Sequence, residues 1–181
     1  MAALATAADV PVQWSAVSIL GDTLTTKNGA SPTADVLKGK KYLALYFSAH
    51  WCPPCRQFTP LLAEVYDTIK TDDEDALEVV FVSSDRSKAE FDDYYGSHPW
   101  VALPFSNDVK GTLSATFGVS GIPMLVVLSL ADGMVKDAGA RSTVMRFKAD
   151  TAGLLSHWDG CVGKPVGKAA ATEFNTGCEI M

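Results

Sequence analysis

The chain has 181 residues, 48% of them hydrophobic and 20% charged, with a formal net charge of −6. That length suits one domain with tails and a real core. The acidic balance argues against general nucleic-acid binding, which needs a basic footprint to neutralise phosphates. No stretch approaches the roughly 18 apolar residues of a membrane helix. Residues 1–12 carry no Lys or Arg, and Asp9 and Pro11 break their Ala-rich run. They have neither the charged start and apolar run of a secretory signal nor the arginines of a transit peptide, so a cytoplasmic location is expected.

In chain order, residues 14–20, the turn Gly21-Asp22 and residues 23–26 read as strand, turn, strand, and Asn28-Gly29 and Ser31-Pro32 punctuate the next stretch. Residues 42–48 (YLALYFS) are apolar almost throughout, as in a central strand buried on both faces. A helix comes at once after it, because Phe58, Leu61, Leu62, Val65 and Ile69 fall on one helical face. Pro60 lies inside it and must kink it, freeing the carbonyl of Arg56.

The acidic run 71–75 reads as a solvated loop and residues 77–83 as a second buried strand. Ser87 and Glu90 have capping-box spacing, so a helix runs to Tyr95 with Gly96 as its stop. Another helix is expected over 108–117, a third buried strand over 124–130, a turn at Asp132-Gly133 into 134–138, and a last helix over 149–157. This order, a βαβ half and then a hairpin half, predicts an α/β fold with a central sheet flanked by helices. Residues 1–10 are expected to be an N-terminal tail, 11–158 the folded domain, and 159–181 a flexible C-terminal tail of Gly, Lys, Ala and Thr.

The chain contains four cysteines. Two form the segment Trp51-Cys52-Pro53-Pro54-Cys55, and Cys161 and Cys178 sit alone near the C-terminus, a pattern better suited to redox or metal chemistry than to disulfide staples. The pair lies where a buried strand ends and a helix begins. Cys52 becomes the helix cap, and Pro53 and Pro54 take the first two helical positions, where a missing N–H does no harm. A cap accepts from the second or third helical residue, and Pro54 has no N–H, so the amide and thiol of Cys55 are the donors left for a Cys52 thiolate. The helix N-terminus adds about half a positive charge. Cys52 is therefore expected to ionise toward about 7, from a free value of about 8.5.

Cys52 is the expected nucleophile, and Cys55, one turn deeper, the resolving thiol. Two other readings stay open at this point. A zinc knuckle would need a second ligand pair, which Cys161, Cys178 and His50 do not supply at suitable spacing. A structural disulfide across so small a loop would stabilise little. No cofactor and no metal are expected.

Residues 46–60 (YFSAHWCPPCRQFTP) resemble the active-site segment of tryparedoxins and nucleoredoxins, members of the thioredoxin superfamily. Residues 99–105 (PWVALPF) and Gly121-Ile122-Pro123 match later landmarks, so the resemblance covers about 14–158. It implies a thioredoxin-like fold with a mixed sheet and an N-terminal β-hairpin. It further implies a Cys52–Cys55 disulfide, and a cis Pro123 that presents the backbone of Ile122 to an extended substrate segment. Trp51 would shield Cys52 and contact partners, Arg56 would raise the local positive potential, and Trp100 would support the active-site face. Plain packing for Trp51, an exposed helix charge for Arg56 and a trans Pro123 are the alternatives.

The implied activity is reduction of protein disulfides, with a reductase or a low-molecular-weight thiol as electron donor. A redox-gated binding protein with little turnover, an electron carrier to peroxidases, and an isomerase or oxidant are the competing readings. Two departures qualify the resemblance. Thioredoxins proper carry a buried Asp where this chain has Tyr46, which leaves proton transfer to the resolving thiol unassigned. Tryparedoxins carry Trp-Asp-Glu, which helps hold a polyamine–thiol substrate, where this chain has Ser84-Asp85-Arg86-Ser87. That is closer to nucleoredoxins and favours a thioredoxin-reductase or glutathione route over trypanothione.

The last four residues, Cys178-Glu179-Ile180-Met181, have the C-a-a-X form, with a final Met that favours farnesyl. An incidental thiol in a solvated tail is the alternative. One lipid gives only marginal, reversible binding, and Lys164 and Lys168 are too few for a polybasic patch. Weak association with a membrane or a prenyl-binding carrier is the expectation, and a nuclear or membrane-bound position if Cys178 is modified.

Overall fold

The computed structural model describes residues 15–166. The expected N-terminal tail, most of the expected C-terminal tail and Cys178 lie outside them.

The sheet is built around two strands buried at every position, β3 (Tyr42–Ser48) and β4 (Leu77–Ser83), which run parallel with Tyr46 beside Phe81. The first half of the chain adds helix α1 (Ala16–Leu20), the hairpin β1 (Thr23–Thr26) and β2 (Gly29–Pro32), and helix α2 (Thr33–Val36). Between and after the central strands come α3 (Pro53–Asp72), α4 (Lys88–Gly96), β5 (Val101–Ala102) and α5 (Val109–Thr116). The chain then forms β6 (Met124–Ser129), β7 (Val135–Asp137), α6 (Ala140–Phe147) and α7 (Thr151–Gly160). The seven strands are ordered β2-β1-β5-β4-β3-β6-β7. β3 pairs parallel with β4 and antiparallel with β6, so the sheet is mixed.

Period-two alternation divides the core between the two faces of the sheet. Tyr42, Ala44 and Tyr46 point to the face covered by Phe58, Leu62 and Val65 of α3, Phe91 and Tyr94 of α4, Val144 of α6 and Trp158 of α7. Leu43, Leu45 and Phe47 point to the other, against Leu20, Leu24, Leu37, Leu113 and Phe117. Each fully buried Leu or Phe contributes about 2 kcal/mol of burial. Those two layers hold the carboxyl end of β3 rigidly in place.

Several sequence expectations are corrected. Residues 16–20 are a helix rather than a strand, because Ala16 and Leu20, four apart, are the buried pair. The hairpin lies one element later, in β1 and β2. Pro60, by contrast, lies inside α3 as expected. Helix α6 and strand β5 were not expected, the first because its apolar positions are interrupted by Arg and Ser, the second because it is two residues long. The folded unit also passes Asp159: α7 continues to Gly160, Cys161 is buried, and Lys164 pairs with Val135 at the free edge of β7.

Candidate active site at the head of helix α3

Strand β3 ends at Ser48, and a short loop later Cys52 caps α3 with extended backbone angles of −94° and 107°. Pro53 and Pro54 fill the first helical positions, and the N–H of Cys55 donates to Cys52 Sγ at 3.3 Å. This is the donor that the two prolines leave available. Cys52 and Cys55 are joined as a disulfide with their Cα atoms 5.2 Å apart. Cys52 keeps 4% of its surface exposed and Cys55 none. Ala49 and Ile122 complete a small apolar seat around the sulfurs.

The loop before β6 brings in a second wall. The Ile122–Pro123 bond is cis, and the Ile122 carbonyl oxygen lies 3.8 Å from Cys52 Sγ. An extended chain laid beside Ile122 would therefore find backbone hydrogen-bonding groups next to the outer sulfur.

Trp51 is 44% exposed, a large apolar surface beside the disulfide. Its indole N–H donates to the carbonyl of Ser84 at 3.0 Å, and the Arg86 guanidinium lies 5.1 Å from its ring, within cation–π range. Asp85 is buried, and its carboxylate accepts the backbone N–H of His50 at 2.7 Å and the hydroxyl of Ser83 at 2.8 Å. The Ser84-Asp85-Arg86 segment thus braces the loop that carries Trp51 and Cys52. Sequence reasoning treated this segment only as a mark of reductant preference.

Arg56 is exposed on α3. Trp100 is buried one layer beneath the site, edge-on to Tyr46 at 5.8 Å and to Tyr66 at 5.7 Å, which is core support. Among the described residues no group of three or more His, Cys, Asp and Glu is placed to hold a metal ion.

Beneath Cys55 lies a cluster of hydroxyls that sequence reasoning missed. Thr59 Oγ1 is 2.9 Å from the carbonyl oxygen of Cys55, 2.8 Å from the Tyr46 hydroxyl and 2.5 Å from the Tyr94 hydroxyl. Ser48 Oγ lies 3.1 Å from Tyr94 on its other side. Burial pushes the Tyr46 phenol above its ordinary value, which keeps it a neutral hydroxyl. His98 packs beneath, its ring 4.4 Å from that of Tyr94 and 4.7 Å from that of Phe81, and burial pushes its pKa down to about 3. The sequence signal for the cluster was the i, i+4 relation of Cys55 to Thr59 on the buried face of α3. Nothing local tied Tyr94 to it.

Comparison with known proteins agrees with this geometry. Residues 39–135 match the model of the Thioredoxin-like family. The chain is 50% identical over 124 residues to probable nucleoredoxin 1 of Arabidopsis thaliana, covering 68% of this chain but only 21% of that protein. It is 46% identical over 108 residues to tryparedoxin of Trypanosoma brucei brucei, covering 58% of this chain and 72% of the relative. The solved tryparedoxin from Trypanosoma brucei superposes with a TM-score of 0.65 at 38% identity, over 72% of this chain and 90% of that one. A cysteine pair capping the helix after the central strand, faced by a cis-proline loop and matched over most of a tryparedoxin, places this chain in the thioredoxin-like family alongside the tryparedoxins and nucleoredoxins.

Proposed function

We propose that this protein is a thiol–disulfide oxidoreductase that reduces protein disulfides, with Cys52 as nucleophile and Cys55 as resolving thiol. The observation that carries this reading is the position of Cys52 Sγ, which receives the Cys55 N–H at the head of α3 and faces the Ile122 carbonyl. In the reduced protein the Cys52 thiolate attacks one sulfur of a partner disulfide, and the other sulfur leaves as a thiolate. Cys55 then attacks Cys52, the second partner sulfur leaves, and the Cys52–Cys55 disulfide returns. Two electrons pass from the dithiol to the partner and are restored by a reductase or a low-molecular-weight thiol.

Trp51, braced by Ser84 and Arg86, offers an apolar contact to the partner, and the Ile122–Pro123 backbone aligns an extended segment of it. The replacement of Trp and Glu by Ser84 and Arg86 supports a reductant other than a polyamine–thiol conjugate. Insulin reduction with dithiothreitol tests the activity: the protein should precipitate insulin well ahead of the reductant alone. A rate equal to that of dithiothreitol alone would instead support a redox-gated binding protein that uses the exposed Trp51 face.

A further inference from the structure

The resolving step needs the Cys55 thiol to lose its proton, yet Cys55 has no exposed surface, and Tyr46 stands where thioredoxins proper hold a carboxyl group. The buried groups around it are poor acceptors. Asp85 is committed to His50 N–H and Ser83, and His98 stays neutral down to about pH 3. The hydroxyl cluster beneath Cys55, however, meets a groove of about 300 Å³ between α3 and α4, lined by Arg56, Thr59, Tyr94, His50 and Asp93 among others. In that groove His50 Nε2 lies 3.6 Å from Asp93 Oδ2, and the imidazole lies 5.6 Å from the Tyr94 ring, tilted 30° to it.

We propose that the Cys55 proton leaves through this groove, passed by the hydroxyls of Thr59 and Tyr94 to the imidazole of His50, which Asp93 holds in place. The inference rests on the oxidoreductase reading and supplies its missing proton route.

The distances allow two arrangements of the same hydroxyls. The carbonyl of Cys55 can only accept. In one arrangement Thr59 donates to that carbonyl and accepts from Tyr46 and Tyr94, and Ser48 donates to Tyr94. In the other Tyr46 takes over the Cys55 carbonyl, at 3.4 Å. Thr59 then donates to Tyr94, and the Tyr94 proton turns toward the groove. Switching between them moves hydrogens and almost no heavy atoms. Thr59 lies one turn beyond Cys55 on the same helical face, its hydroxyl on the backbone carbonyl of the residue whose thiol must be deprotonated.

The step balances. Cys55 Sγ bonds to Cys52 Sγ, the Cys52–partner bond breaks and its electron pair leaves with the partner sulfur. The Cys55 proton goes to His50, and the partner thiolate takes a proton from solvent. The charged groups facing His50 are Asp93 from α4, Arg56 from α3 and Asp85 from the segment after β4.

The test is rapid-quench peptide mapping of the reduced full-length protein mixed with oxidised glutathione. It tracks the Cys52–glutathione mixed disulfide and the Cys52–Cys55 disulfide separately. Thr59→Val, Tyr94→Phe and His50→Gln should slow closure by about tenfold or more, the lower part of the range for general acid–base catalysis, so that the mixed disulfide accumulates. Thr59→Ser, which keeps the hydroxyl, should restore closure. The defect should shrink at pH well above the free thiol value of about 8.5, where hydroxide takes the Cys55 proton without the hydroxyl route. Closure at the unmodified rate in Thr59→Val and His50→Gln, or a defect as large at high pH as at pH 7, would overturn the inference and leave the oxidoreductase reading standing. Absence of the Cys52 mixed disulfide from every chain would overturn the reading itself.

Discussion

The carboxylate of Asp85 accepts the backbone N–H of His50 at 2.7 Å, tying the segment after β4 to the loop that presents Cys52. The same carboxylate holds the Ser83 hydroxyl, so its two oxygens fix two chain segments at once. Asp85→Ala leaves a buried N–H and a hydroxyl without that acceptor. The expected cost is about 1–3 kcal/mol of stability, as for a bond to a charged group, with altered Trp51 fluorescence. Asp85→Asn keeps one acceptor oxygen and should lose less. Urea unfolding of the three chains measures the order.

The Cys52 thiolate should form at neutral pH, because Cys52 Sγ accepts the Cys55 N–H at the start of a 20-residue helix. Iodoacetamide alkylation of the reduced protein should titrate well below the free thiol value of about 8.5, with Cys52 modified before Cys55. Titration at or above that value, or faster loss of Cys55, would exchange the two roles.

Removing the resolving thiol should trap partners. Cys55→Ser is expected to accumulate mixed disulfides through Cys52, and Cys52→Ser far fewer, because only the exposed edge of Cys52 faces the Ile122 loop. Non-reducing gels of both variants decide this. Equal trapping by both would contradict the two-step cycle.

The cysteine pair at the head of α3 was legible in the sequence because its determinants are local. A buried strand, two prolines and a 3.6-residue apolar face fix where Cys52 must cap a helix, and the expected Cys55 donor is the one observed. The central strands β3, β4 and β6 were legible for a similar reason, since a strand buried on both faces is apolar throughout. Residues 16–20 misled because five residues with apolar positions at both two- and four-residue spacing satisfy either period. Asp85 and Thr59 matter through His50 and Tyr94, each 35 residues away along the chain. No local pattern encodes such a pairing.

Glu78 gives stability a pH dependence, at the opposite end of β4 from the cysteines. Burial raises its carboxyl above the ordinary 4.5, against the opposing pull of the Tyr66 hydroxyl at 2.9 Å and the Lys70 ammonium at 3.7 Å. Because the folded pKa is raised, the native state binds more protons than the unfolded state once pH exceeds the unfolded value. Stability from this group is therefore lost as pH rises through the window between the two. Glu78→Gln removes that dependence. Its stability relative to the parent chain should climb from about pH 4.5 upward, measured as the difference in urea midpoints. A difference that stays flat or falls with pH would show that Tyr66 and Lys70 outweigh burial.

The end of the folded unit can be located by truncation. Beyond Trp158, Asp159 accepts from the Tyr42 hydroxyl at 2.5 Å and pairs with Lys41 at 2.6 Å. Lys164 and Val135 exchange backbone bonds of 2.8 and 2.9 Å, and the Lys136 ammonium donates to the Cys161 carbonyl at 2.9 Å. These contacts close the β7 edge, which would otherwise present unpaired backbone groups. A chain ending after Val166 should therefore unfold at a higher urea concentration than one ending after Trp158, by about 2 kcal/mol. That figure comes mainly from the charge-assisted Tyr42–Asp159 bond and the backbone pair, with the exposed Lys41 pair contributing little. Asp159→Asn in the longer chain should cost only part of that difference, since the edge pairing at Val135 is untouched. Equal stability of the two truncated chains would place the boundary at Trp158, where composition alone puts it.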